Sequence, residues 1–128
     1  MRLPLASSSV GAATVAFGIR NVQEPAVACA DMFRVLAPGG RLAVLEFAVP
    51  QVVGFREVYA WYMRVILPRI GRFISRNQDA YTYLPASVSA WSTPREFTDI
   101  LDGCGFVEVR AVPLTFGAVY LYTAVKPT

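Results

Sequence analysis

The most constraining feature of the chain is a pair of apolar runs separated by one helix-length segment. Ala12-Ala13-Thr14-Val15-Ala16-Phe17 ends at Gly18, and Arg41-Leu42-Ala43-Val44-Leu45-Glu46-Phe47 follows Pro38-Gly39-Gly40. Runs that are apolar at successive positions have no face to give to water, so both are expected as strands covered on both sides. Between them, Asn21-Val22-Gln23-Glu24-Pro25 opens a helix. Proline suits a first turn, where its missing N–H loses no partner, and Glu24 complements the positive helix start. Ala26, Ala30, Phe33 and Leu36 or Ala37 recur at helical spacing and are expected to form its buried face. Pro38-Gly39-Gly40 is expected to end the helix, because proline cannot continue it and glycine tolerates the left-handed turn. Strand, helix and strand joined this way make a βαβ crossover with parallel strands.

The later chain supplies the rest of the sheet. Ser92-Thr93-Pro94-Arg95-Glu96 reads as a helix start: a hydroxyl cap, proline in the first turn, then an acid. Phe97, Ile100 and Leu101 give that helix an apolar stripe, and Gly103-Cys104-Gly105 stops it. Phe106 to Val112 alternates with the period of a strand that has one exposed face. Thr115-Phe116-Gly117 turns the chain into a last strand, Ala118 to Val125. So short a connection requires an antiparallel hairpin. Val53 to Ile66 has mixed helical periodicity broken at Pro68. Residues 52–92 are expected as a helical insertion within a single domain, 1–128.

With 128 residues there is room for one core, and 55% of them are hydrophobic, above the usual share for a soluble domain. The excess implies either an interface with a partner or contact with lipid or an oily substrate. Neither uncharged run, Leu3–Ile19 or Ala111–Val125, is a membrane span: prolines and glycines interrupt both. No basic head precedes a compact apolar stretch, so a secretory leader is not expected and the location is read as cytoplasmic.

Histidine is absent, which excludes His-dependent triads and His metal sites, and no metal site is expected. Cys29 and Cys104 have no ligand-type spacing and read as small buried hydrophobes. The positive charge is concentrated: between residues 52 and 76 stand Arg56, Arg64, Arg69, Arg72 and Arg76 against the single acid Glu57. Interleaved Trp61, Tyr62, Ile66 and Leu67 fit an anionic membrane surface or a protein partner at 52–76, and nucleic acid is not expected.

Several blocks in order carry a resemblance. Val15-Ala16-Phe17-Gly18-Ile19-Arg20-Asn21-Val22, Arg34-Val35-Leu36-Ala37-Pro38-Gly39-Gly40-Arg41-Leu42 and Leu45-Glu46-Phe47 with Pro50 are three of them. Asp79-Ala80-Tyr81-Thr82-Tyr83-Leu84-Pro85-Ala86-Ser87-Val88 and the close Leu114-Thr115-Phe116-Gly117 with Lys126-Pro127 complete the set. Together they resemble the C-terminal half of the UbiE/MenG-type C-methyltransferases, over essentially the whole chain. The resemblance implies an α/β fold: a partial class I methyltransferase (Rossmann-like) sheet, parallel strands with a C-terminal antiparallel hairpin, and the first three strands missing. It also implies S-adenosylmethionine as cofactor, a demethylmenaquinone-like or polyprenyl-quinol acceptor, and a lid-like role for the helical insertion at 52–92.

By that resemblance Arg20 and Asn21 are the catalytic candidates, just past a strand's carboxyl end, where open sheets place ligands. C-methylation of a quinol requires loss of a phenolic proton. An arginine promotes that loss by its charge or by orienting a water. The ordinary structural alternative is that Arg20 caps a turn or pairs with Glu46. Ala16 is the candidate cofactor contact through its backbone. Glu46, Tyr59, Tyr62, Tyr81 and Tyr83 are substrate-binding candidates, with core packing as the alternative for two of the four tyrosines. The family's glycine-rich cofactor loop and ribose-binding acid have no counterpart here, so turnover by this chain alone is expected to be impaired. The alternative is a non-catalytic homologue that binds a partner, lipid or quinone through its basic aromatic segment. An unpaired edge at residues 12–17 is further expected to recruit a second copy of the chain.

Overall fold

The structure, a computed structural model, describes residues 2–49, 55–67, 69, 91 and 93–128. Val10–Ala16 forms β1 and Leu36–Phe47 forms β2, paired in parallel and joined by helix α1, Pro25–Val35. Helix α2 spans Phe55–Trp61 and continues as a π-helical turn, Tyr62–Ile66. Helix α3, Pro94–Gly103, leads to β3, Val107–Leu114, and β4, Val119–Val125. The sheet order is β1-β2-β4-β3, and β4 is antiparallel to both neighbours. The α/β sheet read from the sequence is therefore present, a parallel crossover closed by an antiparallel hairpin.

The start of α3 follows its sequence. Pro94 occupies the first turn and Thr93 caps it, its hydroxyl accepting the Glu96 N–H at 3.2 Å. Such a cap stabilises a helix by about 1 kcal/mol. Phe97 and Leu101 are buried along its inner face. Cys104 closes the helix and Gly105, with φ of +103°, turns the chain out against the Phe33 ring.

Helix α1 departs from expectation in phase and in length. Its buried residues are Ala28, Cys29, Met32 and Val35, whereas Ala26 and Ala30 face solvent. Burying Met32 and Val35 removes far more apolar area than burying two alanine methyls, so the larger side chains set the rotation. The helix ends at Val35, and Pro38-Gly39-Gly40 lies inside β2 instead of capping α1. Val10 pairs with Leu36 but Ala12 pairs with Arg41, so the proline and glycines bulge between two paired positions.

A distant segment fixes that bulge. The Gly39 N–H donates to Lys126 O and the Lys126 N–H to Gly40 O, each at 2.8 Å. The Lys126 ammonium donates to Leu36 O at 2.7 Å and lies 4.8 Å from the Phe33 ring centroid. Gly39 has φ of +79°, and a Cβ on Gly40 would stand 2.8 Å from Ala37 O. Both glycines are thus required by local geometry.

The core lies on one face of the sheet. There Leu42, Val44, Tyr122 and Ala124 meet Ala28, Cys29 and Met32 of α1 and Phe97 and Leu101 of α3. Asp31 and Arg34, on the outer side of α1, hold residues 3–9 against it. Arg34 donates to Leu3 O, Leu5 O and the Asp31 carboxylate, which also accepts the Leu3 N–H. The Arg34 guanidinium, with the Leu3 N–H, holds the half-buried Asp31 carboxyl below its usual pKa. The insertion expected at 52–92 lies mostly outside the described residues. Among those described, no helix is long and apolar enough to cross a membrane.

Candidate functional site

The carboxyl ends of β1 and β2 lie side by side, and the short 3₁₀ turn Ile19–Asn21 follows β1. This turn folds Arg20 back over β2. Its Nη1 donates to Glu46 Oε1 at 2.6 Å and to Phe17 O at 2.9 Å. The Arg20 N–H donates to Glu46 Oε2 at 3.3 Å, and the Phe47 N–H to Glu46 Oε1 at 2.9 Å. Glu46 is wholly buried and the Arg20 side chain is 8% exposed. A carboxylate in that position needs such partners, because burial of an uncompensated charge is prohibitive.

Two phenylalanines wall the ion pair. The Phe17 and Phe47 rings stand 4.6 Å apart, and the Arg20 guanidinium carbon lies 5.4 Å from the Phe47 ring centroid. Phe17 has φ of +57°, a left-handed conformation that a bulky side chain adopts only under constraint. Such strain of about 1–3 kcal/mol concentrates where geometry serves function. This conformation directs the Phe17 carbonyl to Arg20.

The remaining candidates divide. Tyr59 is half-buried; burial pushes its phenol up while the nearby Arg20 charge opposes that shift, so the two sit in one neighbourhood. Ala16 and Asn21 are exposed at the mouth of the site. Tyr62 is exposed at the start of the π-helical turn that follows α2, in a segment with exposed Val58, Trp61, Arg56, Arg64 and Arg69. Tyr81, Tyr83, Arg72 and Arg76 lie outside the described residues. Cys29 is a buried free thiol, pushed up to about 12 by burial and then by Cys104, as befits an inert core residue.

Sequence reading passed over Tyr120 and Tyr122, which lie opposite Glu46 and Val44 on β4. The signal was available as the two-residue period of that strand facing the acid-bearing one. Tyr122 is fully buried, edge-on to Phe97 at 4.6 Å, and its hydroxyl has no hydrogen-bond partner among the described residues. Burial first, then Tyr120 and Glu46, raise its pKa, so it stays neutral. Tyr122→Phe removes an unsatisfied buried group and is expected to leave stability unchanged or raise it by up to about 1 kcal/mol. A thermal melt checks this; a loss larger than about 1 kcal/mol means that the hydroxyl is bonded.

The end of β1 offers an exposed backbone edge to a nucleoside cofactor, but the described residues do not form a full cradle for one. Gly18 leads from β1 into a three-residue turn, not a helix, and Gly39 and Gly40 are paired with Lys126 inside the sheet. Neither glycine turn stands between a strand and the N-terminus of an α-helix, as a cofactor cradle of this architecture requires.

Comparison with known proteins adds to this geometry. The sequence profile of the ubiE/COQ5 methyltransferase family matches residues 1–126. A demethylmenaquinone methyltransferase of Mycolicibacterium paratuberculosis is 43% identical over 126 residues, covering 98% of this chain and 55% of its own length. One of Corynebacterium glutamicum is 39% identical over 127 residues, 99% of this chain and 55% of its own length. The chain thus spans about half the length of the curated relatives it matches. Among solved structures, a SAM-dependent methyltransferase of Aquifex aeolicus superposes with a TM-score of 0.58 at 16% identity, over 97% of this chain and 50% of that one. The cyclase SpnF does so with a TM-score of 0.61 at 16% identity, over 98% and 53%. Likeness to both shows a shared Rossmann-like fold and, because their activities differ, nothing of the reaction.

Proposed function

The chain belongs to the ubiE/COQ5 methyltransferase family, and from that premise we propose that it forms the acceptor side of a C-methyltransferase acting on an aromatic quinol of the demethylmenaquinone kind. The observation that carries this reading is the Arg20–Glu46 pair, walled by Phe17 and Phe47 at the carboxyl ends of two parallel strands. The demethylmenaquinone methyltransferases to which the chain is similar suggest the substrate class.

The chemistry asked of these residues is modest. A quinol ring carbon becomes nucleophilic when an adjacent phenol loses its proton. Arg20 lowers that phenol's pKa by its charge and orients a water that takes the proton. The guanidinium does not take the proton itself, since it stays charged in proteins. Glu46 anchors Arg20 from below, which sets the direction of the cation instead of leaving a flexible stem to choose it. The aromatic rings of Phe17 and Phe47 offer a planar substrate an apolar wall. S-adenosylmethionine is the methyl source that the family implies.

Calorimetric titration of the chain with naphthohydroquinone under nitrogen tests the reading. Binding by the wild type, lost when Arg20→Met and Glu46→Leu are combined, is the expected result; equal binding by both overturns it. A parallel titration with S-adenosylmethionine asks whether the cofactor binds without further polypeptide. The exposed Val58, Trp61 and Tyr62 with Arg56, Arg64 and Arg69 favour a second reading, a non-catalytic homologue that docks by this segment. Silence toward quinol and cofactor, with binding to anionic phosphatidylglycerol vesicles, selects it.

A further inference from the structure

Two unmet hydrogen-bonding groups lie inside the core, on the inner strands of the sheet. The first is the Tyr122 hydroxyl, which has no partner among the described residues although Tyr122 has no exposed surface. Native chains keep few such groups, and each calls for a reason. The second is on Glu46. An ionised carboxylate accepts at about four lone-pair sites. Glu46 Oε1 takes Arg20 Nη1 and the Phe47 N–H, whereas Oε2 takes only the Arg20 N–H, at 3.3 Å. One site on Oε2 stays unused among the described residues, and burial of Glu46 keeps bulk water from it.

The strand register brings the two groups together. Glu46 stands opposite Tyr120 and Val44 opposite Tyr122, so Glu46 and Tyr122 are diagonal neighbours across β2 and β4. Leu42, Val44 and Glu46 are buried, as are Tyr122 and Ala124, so these alternate positions share the core face. Diagonal neighbours on one face stand about 7–8 Å apart at Cα, within reach of an aromatic side chain. Packing holds the Tyr122 ring: Phe97 meets it edge-on at 4.6 Å and Tyr120 stacks on it at 6.0 Å. The hydroxyl hydrogen still turns about its own C–O bond. Burial first, then Tyr120 and Glu46, raise the phenol's pKa, so the group keeps its proton and remains a donor.

We infer that Tyr122 is a reserve donor to Glu46: when the Arg20 guanidinium turns to the acceptor's oxygen, the Tyr122 hydroxyl donates to the carboxylate it leaves. The inference rests on the reading that Arg20 meets the acceptor, and it answers a difficulty in that reading. An Arg20 held by Glu46 has less charge to offer a phenolate, and an Arg20 that departs strands a buried carboxylate. A neutral phenol on the same face lowers the cost of departure without adding a second cation that competes for the acceptor. Tyr122 is thus a positioning residue that acts through Glu46 and Arg20. Its unbonded hydroxyl disfavours the resting arrangement and favours the one in which Arg20 is released.

The bond is tested without any ligand, by removing the guanidinium. Tyr122→Phe is introduced into the wild type and into Arg20→Met, and the urea midpoints are compared. In the wild type the hydroxyl bonds nothing, so its loss is expected to leave the midpoint unchanged or raised. In Arg20→Met it serves Glu46, and its loss is expected to lower the folding equilibrium constant by about tenfold or more, the worth of a hydrogen bond to a charged group. Should Arg20→Met fail to fold, Arg20→Lys, which keeps a cation but not the fork of donors, takes its place in the same comparison. Equal effects of Tyr122→Phe in both backgrounds overturn the inference. Its role with the acceptor is read by calorimetric titration with naphthohydroquinone under nitrogen. Tyr122→Phe is expected to bind about tenfold more weakly than the wild type, and equal binding overturns that role. A wild type that binds no quinol sinks the reading of the site, whereas the coupling between Tyr122 and Arg20 still decides whether Tyr122 serves Glu46.

Discussion

Glu46→Ala is expected to remove about 3–5 kcal/mol of folding stability, because it takes away the carboxylate that pairs with a buried guanidinium. Arg20 is 8% exposed and would keep Phe17 O as an acceptor, but a carbonyl does not neutralise a cation. The Phe47 N–H and the Arg20 N–H lose their acceptor in the same step. Domains of this size are stable by about 5–15 kcal/mol, so the variant stands at or near the margin. Urea denaturation compares the midpoints. The double variant Arg20→Met, Glu46→Leu is expected to regain most of the loss, since an apolar pair of similar volume carries no desolvation penalty. A single variant as stable as the wild type means that water reaches the pair. The asymmetry also bears on function: a loss of activity in Glu46→Ala reports unfolding before it reports chemistry, which is why the double variant is the better partner for the binding assay.

Phe97→Ala is the second large effect, expected at about 3–5 kcal/mol for an aromatic truncation in a closed core. Phe97 has no exposed surface and holds three things together. It stands on the inner face of α3, meets Tyr122 of β4 edge-on at 4.6 Å, and contacts Trp91 at 5.4 Å. Its removal opens a cavity between the helix and the inner strand that alanine cannot fill and that rigid neighbours only partly collapse into. The checks are the urea midpoint and the near-ultraviolet circular dichroism of the tyrosine and tryptophan. A loss below about 1 kcal/mol shows that the helix repacks.

Much of this was legible in local sequence. The crossover between two apolar runs, the Thr93-Pro94 start and the terminal hairpin each depend on neighbours within a few residues and are present, but β1 is not covered on both sides as expected, since Ala12, Thr14 and Ala16 are exposed. The features that escaped depend on distant partners. Alanines at 26 and 30 matched the helical period but carry too little area to set a helix's rotation against Met32 and Val35. Pro38-Gly39-Gly40 has the local chemistry of a helix stop. It lies in the sheet because Lys126 binds both sides of it, a contact no local rule supplies. At the site, the position of Arg20 and Glu46 at strand ends was readable, and their pairing stood as one of two alternatives. Tyr59 stands in the neighbourhood of Arg20 whereas Tyr62, three residues on at the start of the π-helical turn, is exposed. The left-handed Phe17 gave no sequence signal, since no glycine or asparagine marks the position.

The strand order has a consequence for synthesis. Of the four described strands of β1-β2-β4-β3, the latest in the sequence is an inner one. While the ribosome is still adding β4, β2 and β3 have only open flanks where their shared neighbour belongs, and the bulge that sets the β1–β2 register still waits for Lys126. Native pairing of these four strands is therefore gated by translation of β4 and Lys126. The nascent chain spends that interval with apolar strand faces available to chaperones, or to neighbouring nascent chains on the same messenger.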